Sequence, residues 1–177
     1  MSLNPHEIGG NCSLETKQRI VDTLASHVRH GVFAGSTVAS KLRVSEVTVG
    51  QMREDPLREE GRAVFTLTVD EDMMNLAGGV HGGCIAYLID FCSSLALAVL
   101  AHKQTGDRRV ISVSQALNIV YHSPAPLGDK LRIINTTMTV GKRASSIRSE
   151  IWSDVNHRLI ASGVHVKMDP SPLKAKI

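Results

Sequence analysis

The sequence predicts an α+β domain in which a mostly antiparallel sheet encloses one long helix. Three observations lead there. Cys84 to Ala101 contains neither Pro nor Gly and is apolar nearly all round, through Ile85, Ala86, Tyr87, Leu88, Ile89, Phe91, Leu95, Ala96, Leu97, Val99 and Leu100, as in a helix with no solvent face. Segments with a two-residue period flank it on both sides. Their order, strands, one long helix and then four strands in a row, belongs to an antiparallel sheet packed on a helix and not to βαβ units. A chain of 177 residues suits one such domain, since a domain of that size buries about 70% of its extended surface.

Met1 to Ser13 is polar and holds Pro5, Gly9 and Gly10, so disorder is expected there. From Ser13 or Glu15 a helical pattern puts Ile20, Leu24 and Val28 on one face and stops near His30-Gly31, where Gly suits a C-cap. His27 and His30 on this helix lack a carboxylate or Cys at ligand spacing and read as solvated histidines. Leu42 to Met52 is rich in β-branched residues, and Arg62 to Val69 alternates through Ala63, Phe65, Leu67 and Val69; both are expected strands, with the charged turn Arg53 to Gly61 between them.

After the long helix, Val110 to Tyr121 alternates again, with Ile111, Val113, Leu117 and Ile119 on one face and Ser112, Ser114, Ala116 and Asn118 on the other. Pro124 and Pro126 break the chain, because proline cannot donate to a ladder. Three strands follow: Lys130 to Val140, Ser145 to Val155, and Arg158 to Met168. The expected organisation is an N-terminal extension over 1–36 with its own helix, one domain over 37–169 and a tail over 170–177.

A net charge of +3 with interspersed signs, one Trp and no clustered basic face argue against nucleic acid as a partner. Cys12, Cys84 and Cys92 are an odd number without paired spacing, as in reduced core thiols. No basic and apolar leader opens the chain, and Glu7, Glu15 and Asp22 are unlike an acid-poor transit peptide. A cytoplasmic location is the expectation, with the mitochondrion left open. Ile85 to Ala101 is short for a membrane span and carries Asp90 at its centre, so no span is expected. No P-loop, dinucleotide fingerprint or zinc spacing occurs, so neither a metal nor a prosthetic group is expected.

Two features carry chemistry. Asn75-Leu-Ala-Gly-Gly-Val-His81-Gly82-Gly83 runs straight into the apolar helix, and its glycines allow a sharp turn and a close approach by ligand. The first amides of that helix have no intrahelical acceptor and sit at the positive end of the macrodipole, so Gly82 suits a developing oxyanion. Asp90 is the second. A carboxylate on a helix this apolar is either satisfied by nearby hydroxyls or amides, or functional.

The constellation Asn75-x-x-Gly78-x-x-His81-Gly82-Gly83, then Asp90, Val113-Ser114, Asn118-Ile-x-Tyr121-x-Ser123-Pro124-Ala125 and Gly128, resembles the hotdog-fold acyl-coenzyme A thioesterases, in the branch of the phenylacetate-pathway and mammalian enzymes. The looser resemblance extends from about Leu42 to Met168. It implies the hotdog fold, an acyl-coenzyme A substrate with coenzyme A as part of it, and a homodimer or dimer of dimers. It further implies that the Gly82 amide and the Asn75 side chain hold the thioester oxygen, and that Ser114 positions water, with Ser112 as the competitor.

Asp90 would be either general base or nucleophile. His81 would either approach the leaving sulfur or brace the turn. Gly83 joins the substrate-binding set, and the basic turn Lys142-Arg143 is either a contact for coenzyme A phosphates or a solvated hairpin. Gly82 and Asp90 are eight residues apart, about 12 Å along a helix, too far for one chain's pair to meet at a carbonyl, so the site is expected to be shared across a two-fold axis. A dehydratase on acyl thioesters and a non-catalytic acyl-coenzyme A binding protein are the alternatives.

Overall fold

In the computed structural model the chain forms α1 (Leu14–Arg29), β1 (Arg43–Gln51), β2 (Glu59–Thr68), α2 (Gly82–Thr105), β3 (Val113–Tyr121), β4 (Lys130–Val140), β5 (Ala144–Ser153) and β6 (Arg158–Met168). The structure describes residues 4–31, 33, 37–105, 112–141 and 143–169; the expected boundary at Ser36, the tail over 170–177 and Lys142 lie outside them. All strands pair antiparallel in one sheet of order β1-β2-β4-β5-β6-β3. The expected α+β class and the enclosed helix are both present.

The sheet curls around α2. Phe65 and Leu67 of β2, Leu131 and Ile133 of β4, and Ile147 and Ile151 of β5 are buried together with Leu88, Ile89, Cys92, Ala96, Val99 and Leu100 of α2. Gly61 allows the closest approach: a Cβ there would lie 2.8 Å from the Ala96 carbonyl oxygen and 2.9 Å from Leu100 Cβ. By length and composition α2 could cross a membrane, but it is mostly buried within this fold.

Residues 4–13 are ordered, contrary to the disorder expected of them, and residues 1–3 of that expectation lie outside the described residues. The ordered stretch covers the outer edge of β1. Gly9 N–H donates to the Ser45 carbonyl (2.9 Å) and its own carbonyl accepts from Val47 N–H (3.1 Å). The Asn11 side chain continues the ladder, accepting from Val49 N–H (3.0 Å) and donating to the Val49 carbonyl (2.8 Å). Lys17 Nζ closes the strap by donating to the carbonyls of Ile8 (2.8 Å) and Gly10 (3.0 Å). Backbone groups and one Asn side chain make this pairing, so it leaves no apolar periodicity in the sequence.

Ser13 caps α1 by accepting from Thr16 N–H (3.2 Å). Ile20, Val21 and Leu24 on its inner face join the main core, and Thr16 and His102 share a hydrogen bond of 3.0 Å between α1 and α2. At the other end of the sheet β3 pairs, among the described residues, with β6 alone, and Val113, Leu117, Val120 and Tyr121 on it are exposed. Leu24→Ala should cost about 2–5 kcal/mol by leaving a cavity under α1, read as a lower urea midpoint, whereas Leu14→Ala, 47% exposed on the same helix, should leave the midpoint nearly unchanged.

Candidate active site

The glycine turn is built around Asn75. Its side-chain oxygen accepts from Ala77 N–H (2.9 Å) and Gly79 N–H (3.2 Å), and its backbone N–H donates to the Gly79 carbonyl (2.8 Å). Gly78 sits at φ +81°, a conformation that favours glycine. The Asn75 amide nitrogen lies 3.5 Å from the Val80 carbonyl, at the limit of a hydrogen bond. Val80 N–H donates to the Ala125 carbonyl (2.9 Å), which ties the turn to the Ser123-Pro124-Ala125 loop.

His81 caps α2. Its Nδ1 accepts from Gly83 N–H (2.9 Å), and its carbonyl accepts from Cys84 N–H (2.9 Å) and Ile85 N–H (3.1 Å). Of its two expected roles, bracing the turn is the one these contacts perform. Gly83 N–H is thereby engaged within the chain. Gly82 N–H, at the first helical position, has no carbonyl one turn back inside the helix. Tyr121 closes the other side: its hydroxyl donates to the Gly82 carbonyl (3.1 Å), and its ring stands 3.5 Å from where a Gly82 Cβ would be. Cys84, two residues further, has its thiol pushed up to about 11 by burial, so it is no thiolate at neutral pH.

Asp90 lies two turns down α2 with its side chain 46% exposed. Ser114 Oγ donates to Asp90 Oδ1 at 2.7 Å. This corrects the strict alternation expected of β3. Ser114 pairs with Lys167 and Ala116 with Val166, so Gln115 is an extra residue, a β-bulge. The bulge puts Ser114 on the same inner face as Leu117 and Ile119, which plain alternation would have placed opposite.

Two residues of β6 that the sequence did not single out complete the cluster. His165 is fully buried, with Nδ1 2.7 Å from Ser93 Oγ and Nε2 3.2 Å from Asp90 Oδ1. The second contact is short but misaligned, so Nε2 remains a buried nitrogen without a hydrogen bond. Burial, and then the charge of Lys167, push His165 below its ordinary value of 6.5, against the pull of Asp90. Burial likewise lowers Lys167, and Asp90 opposes it. Their sequence signal is Val164, Val166 and Met168 alternating with Gly163, His165 and Lys167: the polar set faces the helix.

Ser93 and Ser94 hydroxyls both donate to the Asp90 carbonyl, at 3.2 and 2.8 Å. Beside Asp90 on α2, Tyr87 and Phe91 stack with centroids 6.0 Å apart, and α1 lays His27 on them. His27 Nε2 and the Tyr87 hydroxyl share a hydrogen bond of 2.9 Å, and the His27 ring lies 4.3 Å from that of Phe91. His27 is therefore packed, which corrects its reading as a solvated residue. Arg143 is exposed on the turn between β4 and β5, and its carbonyl accepts from Asp169 N–H (3.1 Å). Within one chain the structure brings Asp90, Ser114, His165 and Lys167 together, and separately Asn75, His81, Gly82 and Tyr121.

Residues 77–160 match the model of the thioesterase superfamily. Human acyl-coenzyme A thioesterase 13 is 32% identical over 107 residues, 60% of this chain and 72% of the human protein. Among solved structures, zebrafish thioesterase superfamily member 2 superposes with a TM-score of 0.68 at 25% identity, covering 89% of this chain and 99% of that one. Its mouse counterpart gives 0.66 at 24% identity, over 89% of this chain and 98% of that one.

His165 and His27, both lowered in the fold and for both of which burial is the first cause, set a pH dependence. As pH falls through 6.5 the unfolded chain takes up protons that the folded chain refuses, so their contribution is lost on acidification. Urea midpoints should drop between about pH 7.5 and about pH 5.5, and His165→Asn should reduce that drop.

Proposed function

We propose a mechanism for a chain that belongs to the thioesterase superfamily and is an acyl-coenzyme A thioesterase of the hotdog fold. The thioester oxygen sits on the Gly82 N–H at the N-terminus of α2, with the Asn75 amide as second donor. There the helix dipole and two fixed donors stabilise the charge that develops as the carbonyl carbon becomes tetrahedral. Asp90, aligned by Ser114, takes a proton from water as the water oxygen attacks. The C–S bond then breaks, and the proton passes to the coenzyme A thiolate. Water is the only co-reactant, and coenzyme A enters as part of the substrate.

The observation that carries this reading is the separation of the two half-sites. Eight residues of helix put Gly82 and Asp90 about 12 Å apart along the axis, while a base must come within a hydrogen bond, or one water, of the atom it serves. A second copy of α2, antiparallel across a two-fold axis, brings the Asp90 cluster of one chain to the Gly82 turn of the other and makes two equal sites. Two features support that arrangement. The outer edge of β3 pairs with no strand among the described residues. Gly83, Ala86, Asp90 and Ser94 of α2 stay at least partly exposed on one side of the helix.

Asp90→Asn, nearly isosteric, should abolish turnover while binding of an inert acyl-coenzyme A analogue persists; normal hydrolysis by the folded variant would refute the assignment. Asn75→Asp keeps the oxygen that holds the turn and removes the donors, so kcat should fall by about 10²–10³. Mixing the two inactive chains under subunit exchange should restore activity, because each hybrid dimer carries one intact site. No recovery after proven exchange would rule out the shared site.

A further inference from the structure

The inner face of β6 carries a histidine that the hydrolytic steps leave unused. His165 is fully buried, and so is Ser93 of α2, whose hydroxyl oxygen lies 2.7 Å from His165 Nδ1. The other ring nitrogen is aimed at the site: Nε2 stands 3.2 Å from Asp90 Oδ1 and is buried without a hydrogen bond among the described residues. Burial, the first cause of its lowered proton affinity, keeps the ring neutral at neutral pH, so one nitrogen carries the hydrogen and the other does not.

The two serines decide which. Ser93 has one hydroxyl proton and two acceptors in reach, His165 Nδ1 at 2.7 Å and the Asp90 carbonyl at 3.2 Å. Ser94 also donates to that carbonyl, at 2.8 Å, so the Ser93 proton goes mainly to Nδ1. An Nδ1 that accepts leaves the hydrogen on Nε2, directed at Asp90. The opposite tautomer would set a bare nitrogen lone pair against a carboxyl oxygen in a buried place, where no solvent offsets the repulsion.

Ser114 donates to the same Asp90 oxygen at 2.7 Å. Both contacts therefore fall on Oδ1, from β3 and from β6, while Oδ2 has neither a hydrogen bond nor an ion pair among the described residues. Only alignment is wanting between Nε2 and Oδ1. Asp90, with its side chain 46% exposed, is the partner free to turn; the buried His165 and Ser93 are not.

We propose that His165 is a positioning residue for hydrolysis: held by Ser93 as the Nε2–H tautomer, it joins Ser114 in fixing Asp90 Oδ1, so that Oδ2 is the oxygen that takes the proton from water. The proposal rests on Asp90 being the base.

The test joins a spectrum to turnover. Long-range proton–nitrogen correlation spectra of isotope-labelled protein at neutral pH, with His165→Gln identifying the ring signals, should show the hydrogen on Nε2; a hydrogen on Nδ1 overturns the proposal. With saturating acyl-coenzyme A, His165→Leu, which has no donor, should lower kcat by about 10–100-fold, the range for a group that orients a functional one, with KM within about twofold. His165→Gln, whose amide nitrogen can stand near the place of Nε2, should recover most of that loss. Ser93→Ala should lower kcat severalfold by itself and add nothing in the His165→Leu background, since both act through one contact. A lower urea midpoint with kcat unchanged in His165→Leu, or losses that simply add, overturns the role. If His165→Leu fails to fold, Ser93→Ala decides, and an unchanged kcat there overturns it too. Asp90→Asn runs alongside: an inactive variant keeps the base assignment standing when the His165 outcomes fail, and substantial turnover removes both.

Discussion

A helix that is apolar around almost its whole circumference cannot be covered by a single sheet, and the rest of this molecule follows from that constraint. The curled sheet takes one side of α2. On a second side α1 contributes Ile20, Val21 and Leu24 to the common core and sets His27 against Tyr87 and Phe91. The side that remains, at least partly exposed, carries Gly83, Ala86, Asp90 and Ser94, and the proposed base is among them. Burial elsewhere gives Asp90 its rigid footing, and the uncovered side gives it access.

The same helix solves the opposite electrostatic problem at its start. The Gly82 amide stands at its first position with no intrahelical acceptor, while His81 satisfies the Gly83 amide beside it and Asn75 holds the incoming turn. One element thus presents the positive end of its dipole at its tip and an acidic side chain two turns along. Their spacing is set by helix geometry and cannot drift with side-chain motion.

Much of this was legible in the sequence because it is written in periodicity and in local spacing. The long helix, the alternating strands and the run from Asn75 to Asp90 are signals of that kind. What stayed hidden depends on register. The extra residue at Gln115 changes which face Ser114 occupies, yet Val113 to Tyr121 contains no glycine or proline to mark a bulge. His165 and Lys167 follow the two-residue period of β6, but polar residues in alternation ordinarily mark the solvent side; only the pairing to β3 and β5 shows that they face the helix. The strap from Ile8 to Asn11 pairs through backbone groups and one amide side chain, and composition alone reads it as loose chain.

That strap has a consequence for how copies of the chain add to one another. A sheet with two bare rims is a monomer unit with two functional ends, free to polymerise. Here Gly9 and Asn11 already occupy the rim of β1, so the unit is monofunctional and acts as its own chain stopper. Two copies joined along β3 would leave only capped rims at both extremities, and growth along the hydrogen-bonding direction would end at two.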